Sequence, residues 1–260
     1  GKTAAMDIAL FHLALELARG GRRTAPVRIA FVVDRRLVVD DAFNRALKIA
    51  AALEEPRTKV VETVATSLRK LAGNDAPPLI ARSLRGGIPR EDDWARTPAQ
   101  PTILCSTVDQ VGSRLLFRGY GITDSMKPVH AGLIGSDCLI LLDEAHLAEP
   151  FRQTLDWVKI YRGPEWREVD EVAPWGIAQL TATPRAKKNE EGSASGGAEP
   201  FGLGDDDLAN PTLRRRLEAS KPARLVLATR GRAKETKEGE DQFDAEIRDM
   251  PSRVAALADE

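Results

Sequence analysis

Leu139-Ile140-Leu141-Leu142-Asp143-Glu144-Ala145-His146 is the stretch that decides the fold. Four apolar residues in a row read as a strand buried on both faces, the pattern of a parallel strand between two helical layers. The run delivers two carboxylates and a histidine to its carboxyl end, the edge at which open parallel sheets bind nucleotides. An acidic pair there suits metal and water chemistry on a phosphate. Asp143 is placed to hold Mg²⁺, and Glu144 to orient or deprotonate the attacking water.

Upstream, the chain opens on Gly1-Lys2-Thr3 and a helical pattern over residues 4–18. This reads as the tail of a phosphate-binding loop, G-x-x-x-x-G-K-[ST], cut at its last glycine. In such loops backbone N–H groups and a helix N-terminus cradle phosphates, the Lys reaches the β- and γ-oxygens, and the hydroxyl sits on Mg²⁺. Downstream, Ile177-Ala178-Gln179-Leu180-Thr181-Ala182-Thr183-Pro184 is another short apolar strand, ending in hydroxyls and stopped by proline.

Composition sets the bounds. The chain has 260 residues, 42% hydrophobic and 30% charged, with a formal net charge of −1. That is a globular composition, without the uniform basic coat that would grip nucleic acid nonspecifically; local backbone contacts remain open to it. Cys105 and Cys138 both lie in apolar runs and read as reduced core residues of a cytosolic protein. No window approaches the roughly 18 consecutive apolar residues of a membrane span, and no signal peptide precedes the first helix. The phosphate loop has no beginning and no initiator Met is present, so the sequence reads as an internal fragment of a longer protein.

Apolar runs alternate with helical patterns, which predicts βα units and a parallel sheet. Strands are expected at 27–33, 79–84, 102–106, 138–142 and 176–181, and helices near 4–18, 39–53, 59–72 and 151–159. Gly20-Gly21 should end the first helix, and Asp40 or Asp41 should cap the second. Residues 1–185 form one α/β domain on this reading, and 186–222 a linker whose first part is polar and Gly/Ser-rich. Residues 223–260 open a second domain. Between the first helix and the acidic strand, three strand ends carry polar clusters: Asp34-Arg35-Arg36, Arg85-Gly86-Gly87, and Ser106-Thr107-Val108-Asp109-Gln110. Arginines can bond phosphate oxygens, paired glycines allow a backbone to approach closely, and hydroxyls at a helix start can bind an anion. Solvated strand ends and turns read equally well from each cluster alone. Trp157, Trp166 and Trp175 read as core or domain-interface packing before base stacking.

Phosphate loop, Asp143–His146 and Thr181-Ala182-Thr183 stand in the order of a superfamily 2 helicase motor, with the acidic box in the DEAH spelling. Finer wording carries the resemblance further. Val32-Val33-Asp34-Arg35-Arg36, Leu84-Arg85-Gly86-Gly87 and Ser106-Thr107-Val108-Asp109-Gln110-Val111-Gly112-Ser113-Arg114-Leu115-Leu116-Phe117-Arg118-Gly119-Tyr120-Gly121 are similar to the CRISPR-associated helicase of type I interference systems. Leu180-Thr181-Ala182-Thr183-Pro184-Arg185 and Arg216-Leu217-Glu218-Ala219-Ser220-Lys221-Pro222 fit the same pattern.

The resemblance implies a RecA-like, doubly wound, mostly parallel domain followed by the truncated start of a second. It implies ATP and Mg²⁺ as cofactors and a prokaryotic, cytoplasmic enzyme that unwinds or translocates on DNA in antiviral defence, after a guide-RNA surveillance complex has opened an R-loop. By the same resemblance Gly1, Lys2 and Thr3 hold nucleotide, and Thr3 and Asp143 hold Mg²⁺. Glu144, with Asp143 and His146, carries catalysis. His146 links the nucleotide site to Thr181 and Thr183, and Arg35, Arg36, Gly86, Gly87, Thr107 and Gln110 contact a single strand of DNA. The histidines, His12, His130 and His146, are none of them followed by Asp, so no nuclease metal site carries over. Two other readings stay open: another superfamily 2 ATPase, such as an RNA helicase or restriction-type translocase, and a non-catalytic nucleotide- or DNA-binding module.

Overall fold

The computed structural model describes residues 2–73, 75–85, 93–166, 173–181 and 202–220. The central strand of its sheet is β1 (Arg28–Val33), buried along its whole length. Around it lie β2 (Ile80–Leu84), β3 (Thr102–Thr107), β4 (Cys138–Asp143) and β5 (Gly176–Leu180) in the order β2-β3-β1-β4-β5. Every neighbouring pair is parallel. Phe31 stands level with Cys105 on one side and Leu141 on the other.

Alternation along the strands divides the core in two. Ile29, Phe31, Val33, Ile103, Cys105 and Leu141 pack under α1 (Ala4–Arg19), α2 (Arg36–Glu54) and α3 (Lys59–Ala72). Ala30, Val32, Leu104, Ile140 and Leu142 pack under α4 (Val108–Leu115), α5 (Lys127–Gly135) and α6 (Glu149–Tyr161). The result is a doubly wound α/β domain of RecA-like architecture, and the two-sided burial explains why β1 and β4 read as unbroken apolar runs.

Local chemistry sets the helix ends. Met6, Leu10 and Leu13 give α1 its buried stripe, and Gly20 and Gly21, both at positive φ, close it. Glu16 then braces the turn into β1, its carboxylate accepting from the N–H groups of Thr24 and Ala25, each at 2.7 Å. Thr58 caps α3 by accepting from the Val61 N–H. α2 begins at Arg36, three residues before the expected start, with extended Arg35 at its N-cap. Asp40 and Asp41 are therefore helix residues rather than caps. Asp40 instead accepts from Arg85 Nη1 at 2.7 Å, tying α2 to the end of β2. α5 was not expected at all, because Pro128, Gly132 and Gly135 argue against a helix. Proline is tolerated in its first turn, and burial of His130, Ala131 and Ile134 supplies the rest.

The chain divides into two compact units, Gly1–Pro200 and Phe201–Glu260. The described part of the second unit holds α7 (Asp205–Ala209) and α8 (Pro211–Leu217). Asn210 caps α8, and Arg214, Arg215 and Arg216 are exposed along it. The strand expected near 223–229 lies outside the described residues, as does the Gly/Ser-rich stretch 187–197. Cys105 and Cys138 are free and buried, and burial pushes both thiols up to about 12. Trp175 packs partly buried, its Nε1 donating to the Ile134 carbonyl at 2.9 Å. Trp157 and Trp166, by contrast, are exposed and flank Tyr161 in a surface aromatic cluster rather than entering the core. Among the described residues no helix is long and apolar enough to cross a membrane.

Candidate active site

After β1 the chain turns to β2 and β3 on one side, while β4 and β5 lie on the other. The carboxyl ends of β1 and β4 thus form a topological switch point, where open α/β sheets leave a crevice. A cavity of about 340 Å³ lies there, with Asp34, Arg35 and Val38 on one wall and Asp143, Glu144 and His146 on the other.

Lys2, in the turn before α1, enters this edge. Its Nζ lies 2.9 Å from Asp143 Oδ1 and also bonds Glu144 Oε1. Burial by itself would pull the Lys2 ammonium down, but its hydrogen bonds and charge contacts with Glu144 and Asp143 win and hold it above the ordinary lysine value. The same bond from Lys2 keeps the Glu144 carboxyl below its ordinary range. Thr3 is the N-cap of α1, and its hydroxyl makes no capping bond.

Glu144 follows β4 in a left-handed conformation, φ 48°, which costs a non-glycine residue of order 1–3 kcal/mol. Two acceptors hold its N–H there: the Leu180 carbonyl and Asp143 Oδ1, both at 2.9 Å. The strained turn aims the Glu144 carboxylate back over the strand end, and the next residues form a 3₁₀ turn, Ala145–Leu147. His146 Nδ1 sits 3.4 Å from Thr181 Oγ1 and 3.4 Å from Glu144 Oε2. Lys2, Asp143, Glu144, His146 and Thr181 therefore form one contact network, assembled from the chain's start, from β4 and from the end of β5.

The three polar strand ends share this edge because all strands run the same way, and β2, β3 and β1 are consecutive neighbours. Arg35 and Arg36 are exposed at the head of α2. Thr107 ends β3 and is the N-cap of α4, its hydroxyl making no capping bond. Gln110 is buried, and its Oε1 accepts from Arg114 Nη1 at 2.7 Å, which directs the amide into the helix layer. Gly1, Gly86, Gly87 and Thr183 lie outside the described residues. Sequence reasoning quoted Arg85 and Arg114 within motifs but gave neither a structural role. The spacing of Gln110 and Arg114, one helical turn apart, was the available signal for the second.

Neither the protein-family models nor the curated proteins compared with this chain match it.

The edge suits a phosphate-bound divalent cation. Asp143 and Glu144 already accept a cation in the form of the Lys2 ammonium. Among the described residues no cluster of three or more His, Cys, Asp or Glu could hold a metal unaided. Mg²⁺ does not ask for one, since it takes one or two carboxylates and completes its shell with phosphate oxygens and water.

Proposed function

We propose that this chain carries the first motor domain of an ATP-dependent DNA helicase or translocase. The observation that carries the reading is the convergence of Lys2, Asp143–Glu144 and His146–Thr181 at one parallel-sheet edge. Those residue types are the ones that phosphoryl transfer to water uses, which supports the reading.

In this reading the Lys2 ammonium leaves the two carboxylates for the phosphate oxygens of ATP. Its departure frees Asp143 to hold Mg²⁺ and Glu144 to take a proton from the attacking water. Bound Mg²⁺ supplies charge neutralisation on the phosphates. Glu144 suits the base role because the left-handed turn fixes its direction at the strand end. His146 touches both Glu144 and Thr181, so a change at the carboxylate is felt at the end of β5. Arg35 and Arg36 are exposed along the same edge, where sequence-independent contacts to one strand's phosphates would join the cycle, whereas Thr107 is buried. The wording of residues 106–121 favours the CRISPR-associated branch, and with it DNA, a guide-RNA surveillance complex and a prokaryotic cytoplasm.

The test is ATP hydrolysis by the intact protein expressed from its own gene, with and without Mg²⁺, single-stranded DNA and single-stranded RNA. Mg²⁺-dependent turnover stimulated by DNA and not by RNA is expected. Stimulation by RNA alone would move the protein to another branch, and absence of turnover would remove the enzymatic reading.

A further inference from the structure

We propose that Lys2 and a divalent cation are alternative occupants of the Asp143–Glu144 pair, so that the two carboxylates take up metal only together with a polyphosphate that draws the ammonium away. The proposal rests on the nucleotide reading of this edge and adds an order of assembly to it.

Asp143 Oδ1 accepts from two donors, the Glu144 N–H and the Lys2 ammonium, each at 2.9 Å. An ionised carboxylate oxygen offers about two acceptor directions, and both of this one's are filled. The Glu144 N–H belongs to the next residue along the chain and is also held by the Leu180 carbonyl, so the donor able to leave is Lys2. The same ammonium bonds Glu144 Oε1. It thereby touches both carboxylates, in the place that a metal shared between them would take. The side chains have room to rearrange: Asp143 is 12% exposed, but Lys2 and Glu144 are 32% and 42% exposed. The Lys2 carbonyl accepts from the Ala5 N–H at 3.1 Å, which fixes the main chain at the head of α1 while the side chain swings.

Charge decides the order. With Lys2 in place, one of the two negative charges that would attract a metal is cancelled. A divalent ion on the other oxygen of Asp143 would lie about 4 Å from the ammonium, a repulsion that weakens its binding roughly thirtyfold even at the dielectric of water. Moving the lysine away instead gives up two ion pairs open to solvent, together a factor of about two to thirty in metal affinity. A triphosphate removes both penalties, because its oxygens accept from the ammonium and also complete the metal's shell. Lys2 thus keeps the carboxylates from holding a metal that has brought no phosphate with it.

The experiment is equilibrium dialysis of the intact protein against Mn²⁺, which takes the same oxygen ligands as Mg²⁺. Without nucleotide, Lys2→Met should bind Mn²⁺ about two- to thirtyfold more tightly than wild type. Adding Asp143→Asn to Lys2→Met should remove that gain, which locates the metal at this pair. If Lys2→Met does not fold, Lys2→Gln, which also removes the charge and stays polar, should show the same gain. In a separate arm, wild type with a non-hydrolysable ATP analogue should retain Mn²⁺ that it does not retain alone. Equal Mn²⁺ affinity of wild type and the folded Lys2 variant without nucleotide, or a gain that survives Asp143→Asn, overturns the proposal and leaves the nucleotide reading standing. Wild type that retains no Mn²⁺ with the analogue overturns the nucleotide reading, and the order of assembly with it.

Discussion

Replacing Glu144 with Gln removes one charge and keeps the shape of the side chain, so stability and turnover should respond very differently. The Lys2 and Glu144 side chains are 32% and 42% exposed, and an ion pair so open to water contributes about 0.2–1 kcal/mol. Lys2 also keeps Asp143 at 2.9 Å, and the new amide oxygen can still accept from it. Unfolding of the unit Gly1–Pro200 should therefore shift by no more than about 4 °C, the change expected for ~1 kcal/mol in a domain of this size. Loss of a general base slows proton transfer by roughly 10²–10⁴-fold, which is about 2.7–5.4 kcal/mol on the barrier. Calorimetry gives the first quantity, and steady-state ATP hydrolysis beside fluorescent-nucleotide binding gives the second. Turnover within about threefold of wild type, or unfolding at a far lower temperature, would refute the assignment of Glu144 as base.

Arg35→Ala should weaken binding of every single-stranded DNA sequence alike and lower the log–log salt slope by about 1, as expected for one lost phosphate contact; titrations at several salt concentrations show it, and a base-dependent loss would count against the phosphate role. Glu16 supplies a test of pH. Burial alone would raise its carboxyl, but the bonds from Thr24 and Ala25 outweigh burial and hold it below its ordinary value of 4.5. Its stabilisation is therefore full above 4.5 and fades as pH falls through the lower folded value. Acid unfolding of Glu16→Gln should lose that part of the slope while neutral pH shows only the cost of the mutation. Phe31→Ala should cost about 3–5 kcal/mol by urea unfolding, because the ring is fully buried at the centre of β1.

The central strands β1, β3 and β4 were legible because burial on both faces leaves largely apolar runs, and observed and expected limits of all five strands differ by a residue at most. The order β2-β3-β1-β4-β5 was not, since pairing is set by contacts between distant segments. The start of α2 was misplaced because Asp40 and Asp41 have the chemistry of caps, and only the structure shows Asp40 engaged by Arg85. α5 was hidden by its proline and glycines, whose poor propensity is overridden by packing. At the site, the carboxylates and the phosphate-loop lysine could be named from their motifs. Their meeting with Thr181 through His146 needed the fold. Gln110 looked like a surface amide because the partner that draws it inward, Arg114, lies on the same helix but faces α5. Trp157 and Trp166 were expected in the core or at a domain interface, yet Trp157 on α6 and Trp166 just after it are exposed beside Tyr161.

Displacement of a labelled strand from a DNA duplex with a single-stranded tail, by the intact protein, tests the central claim most directly. The account predicts displacement that requires Mg²⁺ and hydrolysable ATP and that Glu144→Gln abolishes. Displacement unaffected by Glu144→Gln, or DNA-stimulated hydrolysis that moves no strand and drives no directional travel, would contradict it.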